Sequence, residues 1–160
     1  MTTCVFPGSF DPVTKGHMNL ITRASSVFDR VTVAVMNNIY KKGAVPIEKR
    51  VELLRKACAG LSNVVIDRWD GLLADYMSEK QERIIIRGIR CAADMNSELQ
   101  ANAANKLLNH RIETVLLPCD PSMSGISSSA VREIAAFGGN IKDFVPEELT
   151  EEIRILLSNK

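Results

Sequence analysis

The hydrophobic residues of the chain fall into five short runs that are rich in β-branched side chains. These runs occupy residues 4–6, 31–36, 64–66, 84–86 and 114–117. Nearly continuous apolar runs of this length are typical of strands that are buried on both faces, as in a parallel sheet covered by helices. The pattern therefore predicts five buried strands.

Segments with helical periodicity lie between these runs. They cover residues 18–28, 46–59, 72–80 and 95–109, and the tail 141–160 is expected to add a packing helix whose first turn contains Pro146. Strict alternation of strands and helices favours a parallel sheet with right-handed crossovers. The predicted fold class is therefore α/β: a Rossmann-like, doubly wound, five-stranded parallel sheet with a C-terminal helix.

Length and charge limit the classes of function. The 160 residues are enough for one sizeable core, so we predict a single domain over residues 1–160. A net charge of +1 gives no electrostatic reason to expect nucleic acid or a membrane as a partner. No secretory signal and no run of about eighteen apolar residues are present, so the protein is expected to be cytoplasmic. The 4 cysteines lack a CxxC pair, which argues against a zinc site or a disulfide framework.

The stretch PGSFDPVTKGH at residues 7–17 lies between the first predicted strand and the first predicted helix. Its prolines and glycines predict a shaped loop, because they continue neither a strand nor a helix. Amides at the start of the following helix carry the partial positive charge that suits phosphate oxygens. His17 lies at that start, where the neutral imidazole is favoured and can donate a hydrogen bond to an anion that gains charge in a transition state. The alternative is a histidine that only caps or packs.

Two further segments place polar side chains after predicted strands. Arg87 and Arg90 end the fourth run, and the separation of three lets their planar forks face different phosphates. The stretch SGISSSAVR at 124–132 brings three serines to a helix start, where a plain cap needs only one. Because ligands of doubly wound sheets bind at the carboxyl ends of the strands, we expect these segments to converge on a phosphate site.

The motifs resemble those of a known group of enzymes. The tetrad Thr14 to His17 resembles the (T/H)xGH signature of the nucleotidyltransferase superfamily, and residues 126–132 resemble its second signature, ISSTxxR. The longer string at 7–17 resembles the bacterial phosphopantetheine adenylyltransferase family, and the resemblance extends to about Pro146. It implies transfer of AMP from ATP to 4′-phosphopantetheine, which gives dephospho-coenzyme A and pyrophosphate. It also implies Mg²⁺ that arrives with ATP, no metal ligands from the protein, and a homohexamer.

The resemblance assigns roles to individual residues. His17 is expected to stabilise the transition state. The substrate-binding residues are Ser9, Lys41, Leu73 and Arg87. The ATP-binding residues are Ser9, Phe10, His17, Gly88, Ile89, Arg90, Glu98, Met123, Ser124, Gly125, Ile126, Ser127, Ser128 and Ser129. Capping of the helix start is the alternative explanation for Glu98 and the nearby Asp94. Ser97 and Gly125 depart from the family pattern, so the adenosine contacts are expected to differ there. Ser9 replaces the usual threonine and keeps its hydroxyl but not its methyl group.

Two other functions remain open on sequence grounds. A nucleotidyltransferase of the same superfamily could act on a mononucleotide or a polyol phosphate, and Lys41 with Arg87 favours phosphopantetheine instead. A nucleotide-binding sensor without catalysis would keep the glycine loop and the serines but would have no reason to keep His17.

Overall fold

The computed structural model describes residues 1–37 and 42–158. Its strands are β1 (Thr3–Gly8), β2 (Arg30–Met36), β3 (Val64–Trp69), β4 (Ile84–Ile89) and β5 (Glu113–Pro118). Its α-helices are α1 (Lys15–Ser25), α2 (Ile47–Ala57), α3 (Leu73–Glu79), α4 (Ala92–Leu108), α5 (Ser128–Ala136) and α6 (Thr150–Ser158). Short 3₁₀ helices cover Pro121–Met123 and Glu147–Leu149.

The strands form one parallel sheet in the order β3-β2-β1-β4-β5. The Rossmann-like fold predicted from the strand and helix alternation is therefore confirmed. The strand order changes direction between β1 and β4, which is where open α/β sheets form their ligand crevice. The loop after β1 and the end of β4 border that crevice.

Helix boundaries differ from the predicted ones for local reasons. Helix α1 begins at Lys15 instead of residue 18, because Thr14 caps it ahead of the first apolar position. The expected closing helix is present as α6, and Pro146 precedes a 3₁₀ turn that leads into it. Proline suits that place because it lacks the amide that a helix start leaves unpaired.

The prediction that all five strands are buried on both faces is wrong for the edge strands. Strands β1 and β2 are buried almost throughout, but Val65 on β3 is 49% exposed and Val115 on β5 is 39% exposed. Helix α4 contains no buried residue, so it covers the outer part of the sheet only loosely. An apolar run in the sequence indicates a strand but does not show how completely helices cover it.

The core fixes the loop that follows β1. Phe10 is 1% exposed and packs edge-on against Phe6, with ring centroids 5.6 Å apart. Strand β4 approaches α1 so closely at Gly88 that a side-chain carbon there would collide with Leu20. These contacts hold the start of α1 against the carboxyl ends of β1 and β4.

Among the described helices, none has the length and apolar character needed to cross a membrane.

Candidate active site

His17 lies in the first turn of α1 and completes a reciprocal cap with Thr14. The Thr14 side-chain oxygen accepts a hydrogen bond from the His17 backbone N–H at 3.3 Å. In return, the Thr14 backbone N–H donates to Nδ1 of the His17 ring at 3.1 Å. A backbone amide can only donate, so Nδ1 is the acceptor and the ring proton of the neutral imidazole lies on Nε2.

The surroundings of His17 keep its imidazole neutral. Burial, together with the positive charges of Arg90 and Arg87, lowers the pKa of His17 from 6.5 to about 4. The ring also meets Phe10 edge-on, with centroids 4.9 Å apart. At neutral pH His17 is therefore an uncharged donor with a fixed tautomer, which is the form that can hydrogen-bond to a phosphate oxygen without proton transfer.

We expect the ring nitrogens of His17 to keep their neutral ¹⁵N shifts from about pH 8 down to about pH 5, with the proton on Nε2. Because the folded pKa lies below the ordinary 6.5, the stability contributed by neutral His17 is complete above 6.5 and is lost as the pH falls toward 4. A long-range ¹H–¹⁵N spectrum measures both nitrogens, and His110→Gln identifies the second histidine by removal of its signals. A midpoint near 6.5, or a proton on Nδ1, would contradict this assignment.

His17 faces a cavity of about 270 Å³, which we call the His17 cavity. Its walls come from the loop after β1, the start of α1, the end of β4, the first turns of α4 and the start of α5. The lining residues are Phe6, Pro7, Gly8, Ser9, Phe10, Thr14, Gly16, His17, Leu20, Arg87, Gly88, Arg90, Asp94, Glu98, Ile126, Ser127 and Ser128. The cavity therefore combines helix-start amides, a neutral imidazole and two guanidinium groups.

Both arginines of the His17 cavity pair with carboxylates of α4. Arg87 Nε and Nη2 donate to the two oxygens of Glu98 at 2.7 and 2.8 Å. Arg90 Nε and Nη2 donate to the two oxygens of Asp94 at 2.9 and 3.1 Å. The N-cap residue of α4, Cys91, makes no side-chain capping bond. Both oxygens of Glu98 accept from Arg87 and not from a helix-start amide, so capping does not explain this residue.

Each serine at the start of α5 has a hydrogen-bond partner in the protein. Ser127 is the N-cap and accepts from the Ala130 N–H at 3.1 Å. Ser128 donates to the Pro12 carbonyl at 2.7 Å, and Ser129 accepts from Arg132 at 3.1 Å. The extra serines thus tie α5 to the loop after β1 and to its own second turn.

A larger cavity of about 910 Å³ adjoins the His17 cavity, and the two share Ser9 and Ser128. We call it the α5 cavity. Its cationic side chains are Lys42, Arg50 and Arg132, and Ser129 also lines it. Arg132 and Arg50 also hold the loop, because they donate to the Asp11 carbonyl at 2.6 Å and to the Ser9 carbonyl at 2.9 Å.

The structure brings together most of the residues that the sequence singles out. Those that line the His17 cavity are Ser9, Phe10, His17, Arg87, Gly88, Arg90, Glu98, Ile126, Ser127 and Ser128, and Ser129 lines the α5 cavity. The residues that line neither cavity are Leu73, Ile89, Met123, Ser124 and Gly125. Lys41 lies outside the described residues. Since the Phe10 ring is buried, contact with a ligand would fall to its backbone.

Sequence reasoning missed several polar residues of the two cavities. Arg132 ends the second signature, and Asp94 follows Arg90 by only four residues, so both had a signal in the spacing. Lys42 is exposed and lines the α5 cavity, and its position did not indicate this, because a lysine in a loop is usually only solvated. Nothing in the sequence marked Arg50 as a cavity residue, because an arginine within an amphipathic helix is usually solvated.

No group of three or more His, Cys, Asp or Glu side chains that could hold a metal ion occurs within residues 1–37 and 42–158.

A structure described as a putative nicotinate-nucleotide adenylyltransferase from Vibrio parahaemolyticus superposes with a TM-score of 0.69 over 100% of this chain and 98% of its own. Its sequence identity is only 18%, so this likeness concerns the fold alone.

Sequence comparison identifies the family of the chain as well as its fold. A cytidylyltransferase-like family model matches residues 5–134. A phosphopantetheine adenylyltransferase from Finegoldia magna is 45% identical over 99% of this chain and 98% of its own length. Proteins of the same name from Clostridium perfringens and Clostridium botulinum are 45% and 43% identical, over 99% and 100% of this chain and 97% and 98% of their own lengths. The chain belongs to the phosphopantetheine adenylyltransferase family, within the cytidylyltransferase-like proteins.

Proposed function

We propose that the protein transfers AMP from ATP to 4′-phosphopantetheine, which yields dephospho-coenzyme A and pyrophosphate. The observation that carries this proposal is the neutral Nε2–H of His17, fixed by Thr14 within a cavity that also contains Arg87 and Arg90. The family relationship supports the same substrates. A sensor without catalysis would have no use for a tautomer-locked donor beside two guanidinium groups.

The chemistry requires no strong base. A phosphate monoester is already an anion at neutral pH, so its oxygen can attack the α-phosphorus of ATP directly. The new P–O bond forms as the bond to the β-phosphate oxygen breaks, and pyrophosphate leaves with that electron pair. The protein positions the two polyanions in line and stabilises the charge that develops on the α-phosphoryl oxygens. His17 donates to one of these oxygens, and no covalent enzyme intermediate is needed.

In this proposal each of the two arginines binds the phosphate of a different substrate. Arg90, with the helix-start amides at Ser127 to Ser129, binds ATP, and Arg87 binds the acceptor phosphate. Arg90 also contacts the Ile126 carbonyl at 3.4 Å, which places it beside the start of α5. The triphosphate end of ATP can extend past Ser128 into the α5 cavity, where Lys42 and Arg132 offer further positive charge.

The remaining acceptor contacts are proposed on the family relationship. Leu73 begins α3 and is half-buried against the core cluster on that face of the sheet. In our proposal it contacts the pantetheine arm where the arm leaves the His17 cavity, and Lys41 assists Arg87 at the phosphate. Glu98 is proposed to contact ATP once Arg87 has released it.

Three further features belong to the proposal. Mg²⁺ enters with ATP and is held by the triphosphate oxygens. The hydroxyl and carbonyl groups around the cavities contact it only through its bound water molecules. The exposed apolar side chains of α4, Met95, Leu99, Leu107 and Leu108, supply a surface for assembly into a homohexamer. The reaction takes place in the cytoplasm.

An acceptor series tests the proposal. Pyrophosphate release from ATP is measured with phosphopantetheine, pantetheine, a mononucleotide, glycerol phosphate and no acceptor. We expect release with phosphopantetheine and little with the others. Faster release with a mononucleotide or with glycerol phosphate would indicate another transferase of the superfamily, and ATP binding without release in any arm would indicate a sensor.

A further inference from the structure

The carboxylate of Glu98 occupies the side of Arg87 that suits a phosphate. Arg87 Nε and Nη2 form the edge of the guanidinium group that binds an anion with two parallel hydrogen bonds, and both donate to Glu98. The third contact, from Nη1 to the Pro7 carbonyl at 2.7 Å, holds the arginine against the end of β1. A phosphate cannot use the bidentate edge until Glu98 leaves it.

The ion pair of Arg87 and Glu98 is partly shielded from water, so a phosphate must compete with Glu98 for Arg87. The Glu98 side chain is 13% exposed and the Arg87 side chain is 34% exposed. Partial burial makes this contact stronger than a surface ion pair. A phosphate monoester brings close to two negative charges and three acceptor oxygens, whereas a carboxylate brings one charge and two oxygens. A neutral hydroxyl brings no charge at all.

Helix α4 repeats the arrangement one turn earlier. Asp94 lies four residues before Glu98, so both carboxylates project from one helix face toward the end of β4. Asp94 pairs with Arg90 as Glu98 pairs with Arg87. Since no residue of α4 is buried, these ion pairs are important contacts that hold the first turns of α4 over the cavity. The same turns can therefore shift when an anion replaces a carboxylate.

We propose that Glu98 competes with the acceptor phosphate for Arg87: its carboxylate holds the bidentate edge of Arg87 until a doubly charged phosphate displaces it. The inference rests on the proposed function in placing the acceptor phosphate on Arg87. Glu98 then acts as an internal competitor: it lowers the affinity of a ligand that must use this edge of Arg87, and it leaves the affinity of a ligand that does not use the edge unchanged.

Glu98→Gln tests the proposal, because glutamine keeps the size and one acceptor for Arg87 but removes the charge. We expect the dissociation constants of phosphopantetheine and of inorganic phosphate to fall about tenfold, while the binding of pantetheine stays unchanged. Calorimetric titration measures all three ligands. Glu113→Gln is the matched control: Glu113 pairs with Lys106 near the other end of α4, and its loss should change none of the three constants.

Unchanged or weaker phosphate binding in a folded Glu98→Gln protein would overturn the proposal, since Glu98 would then only orient Arg87. If the glutamine variant does not fold, Glu98→Ala provides the same comparison with inorganic phosphate. Failure of the proposed function has a different signature. In that case phosphopantetheine is not adenylylated by the wild-type protein, yet Glu98→Gln still gains affinity for inorganic phosphate. Normal turnover of phosphopantetheine without a gain in phosphate affinity would contradict the competition by Glu98 but would support the proposed function.

Discussion

Replacing His17 by alanine is expected to lower kcat by roughly two to three orders of magnitude, as is typical for the loss of one donor to a developing oxyanion. The effect on ATP affinity should be much smaller, because the charged contacts of Arg90 and the helix-start amides remain. His17 also belongs to the cap of α1, so alanine should lower the free energy of unfolding by about 1 kcal/mol. Steady-state kinetics and urea unfolding measure the two effects separately.

His17→Gln separates the cap from the chemistry. Glutamine is a favoured partner in this reciprocal cap, so its side-chain oxygen can accept from the Thr14 N–H, while the imidazole donor is replaced by an amide NH₂ in a different position. We expect near wild-type stability together with the same loss of kcat as in the alanine variant. His110→Ala, at an exposed position before β5, is the control and should change neither quantity. A His17→Gln protein with near wild-type kcat would show that His17 only caps the helix.

Arg87→Ala is expected to raise KM for phosphopantetheine by roughly ten- to a hundredfold, which corresponds to a lost charge-assisted contact of about 1.5–3 kcal/mol. KM for ATP should change little. Arg90→Ala should show the opposite pattern, because Arg90 lies beside the start of α5. Steady-state kinetics with each substrate varied in turn measure both variants, and Arg55→Ala, an exposed arginine of α2, is the control.

The ion pair of Arg87 with Glu98 affects the interpretation of Arg87→Ala, so a double variant is needed. Arg87→Ala leaves the carboxylate of Glu98 in the cavity without its bidentate partner, and that charge would itself repel the acceptor phosphate. The double variant Arg87→Ala/Glu98→Gln removes the charge as well. We expect KM for phosphopantetheine to stay above the wild-type value in the double variant. Equal effects of either arginine on both substrates would contradict the division of the phosphates between them.

The position of His17 was predictable from the chain, but its chemical state was not. The prolines, glycines and Thr14 of the loop after β1 mark a strand, a turn and a helix start by local rules. The tautomer depends on the Thr14 N–H, which only the folded cap aligns with the ring. The depth of the pKa shift depends on burial and on two arginines about seventy residues later in the chain.

The ion-pair partners of Arg90 and Arg87 also differ in how far the sequence can predict them. Arg90 and Asp94 are four residues apart, so local spacing can suggest their contact. Arg87 and Glu98 are eleven residues apart, at the end of a strand and within the next helix, and only the packing of α4 on β4 joins them. The exposed faces of β3 and β5 were mispredicted for a related reason: hydrophobicity along a strand does not report which helices cover it.

The central claim, attack of the acceptor phosphate on the α-phosphorus of ATP, has one direct test. Phosphopantetheine with ¹⁸O in its phosphate is incubated with unlabelled ATP, and the products are analysed by mass spectrometry. We predict dephospho-coenzyme A that retains all of the label, including the oxygen between the two phosphorus atoms, together with unlabelled pyrophosphate. Label in pyrophosphate, or AMP as the product in place of dephospho-coenzyme A, would contradict the account.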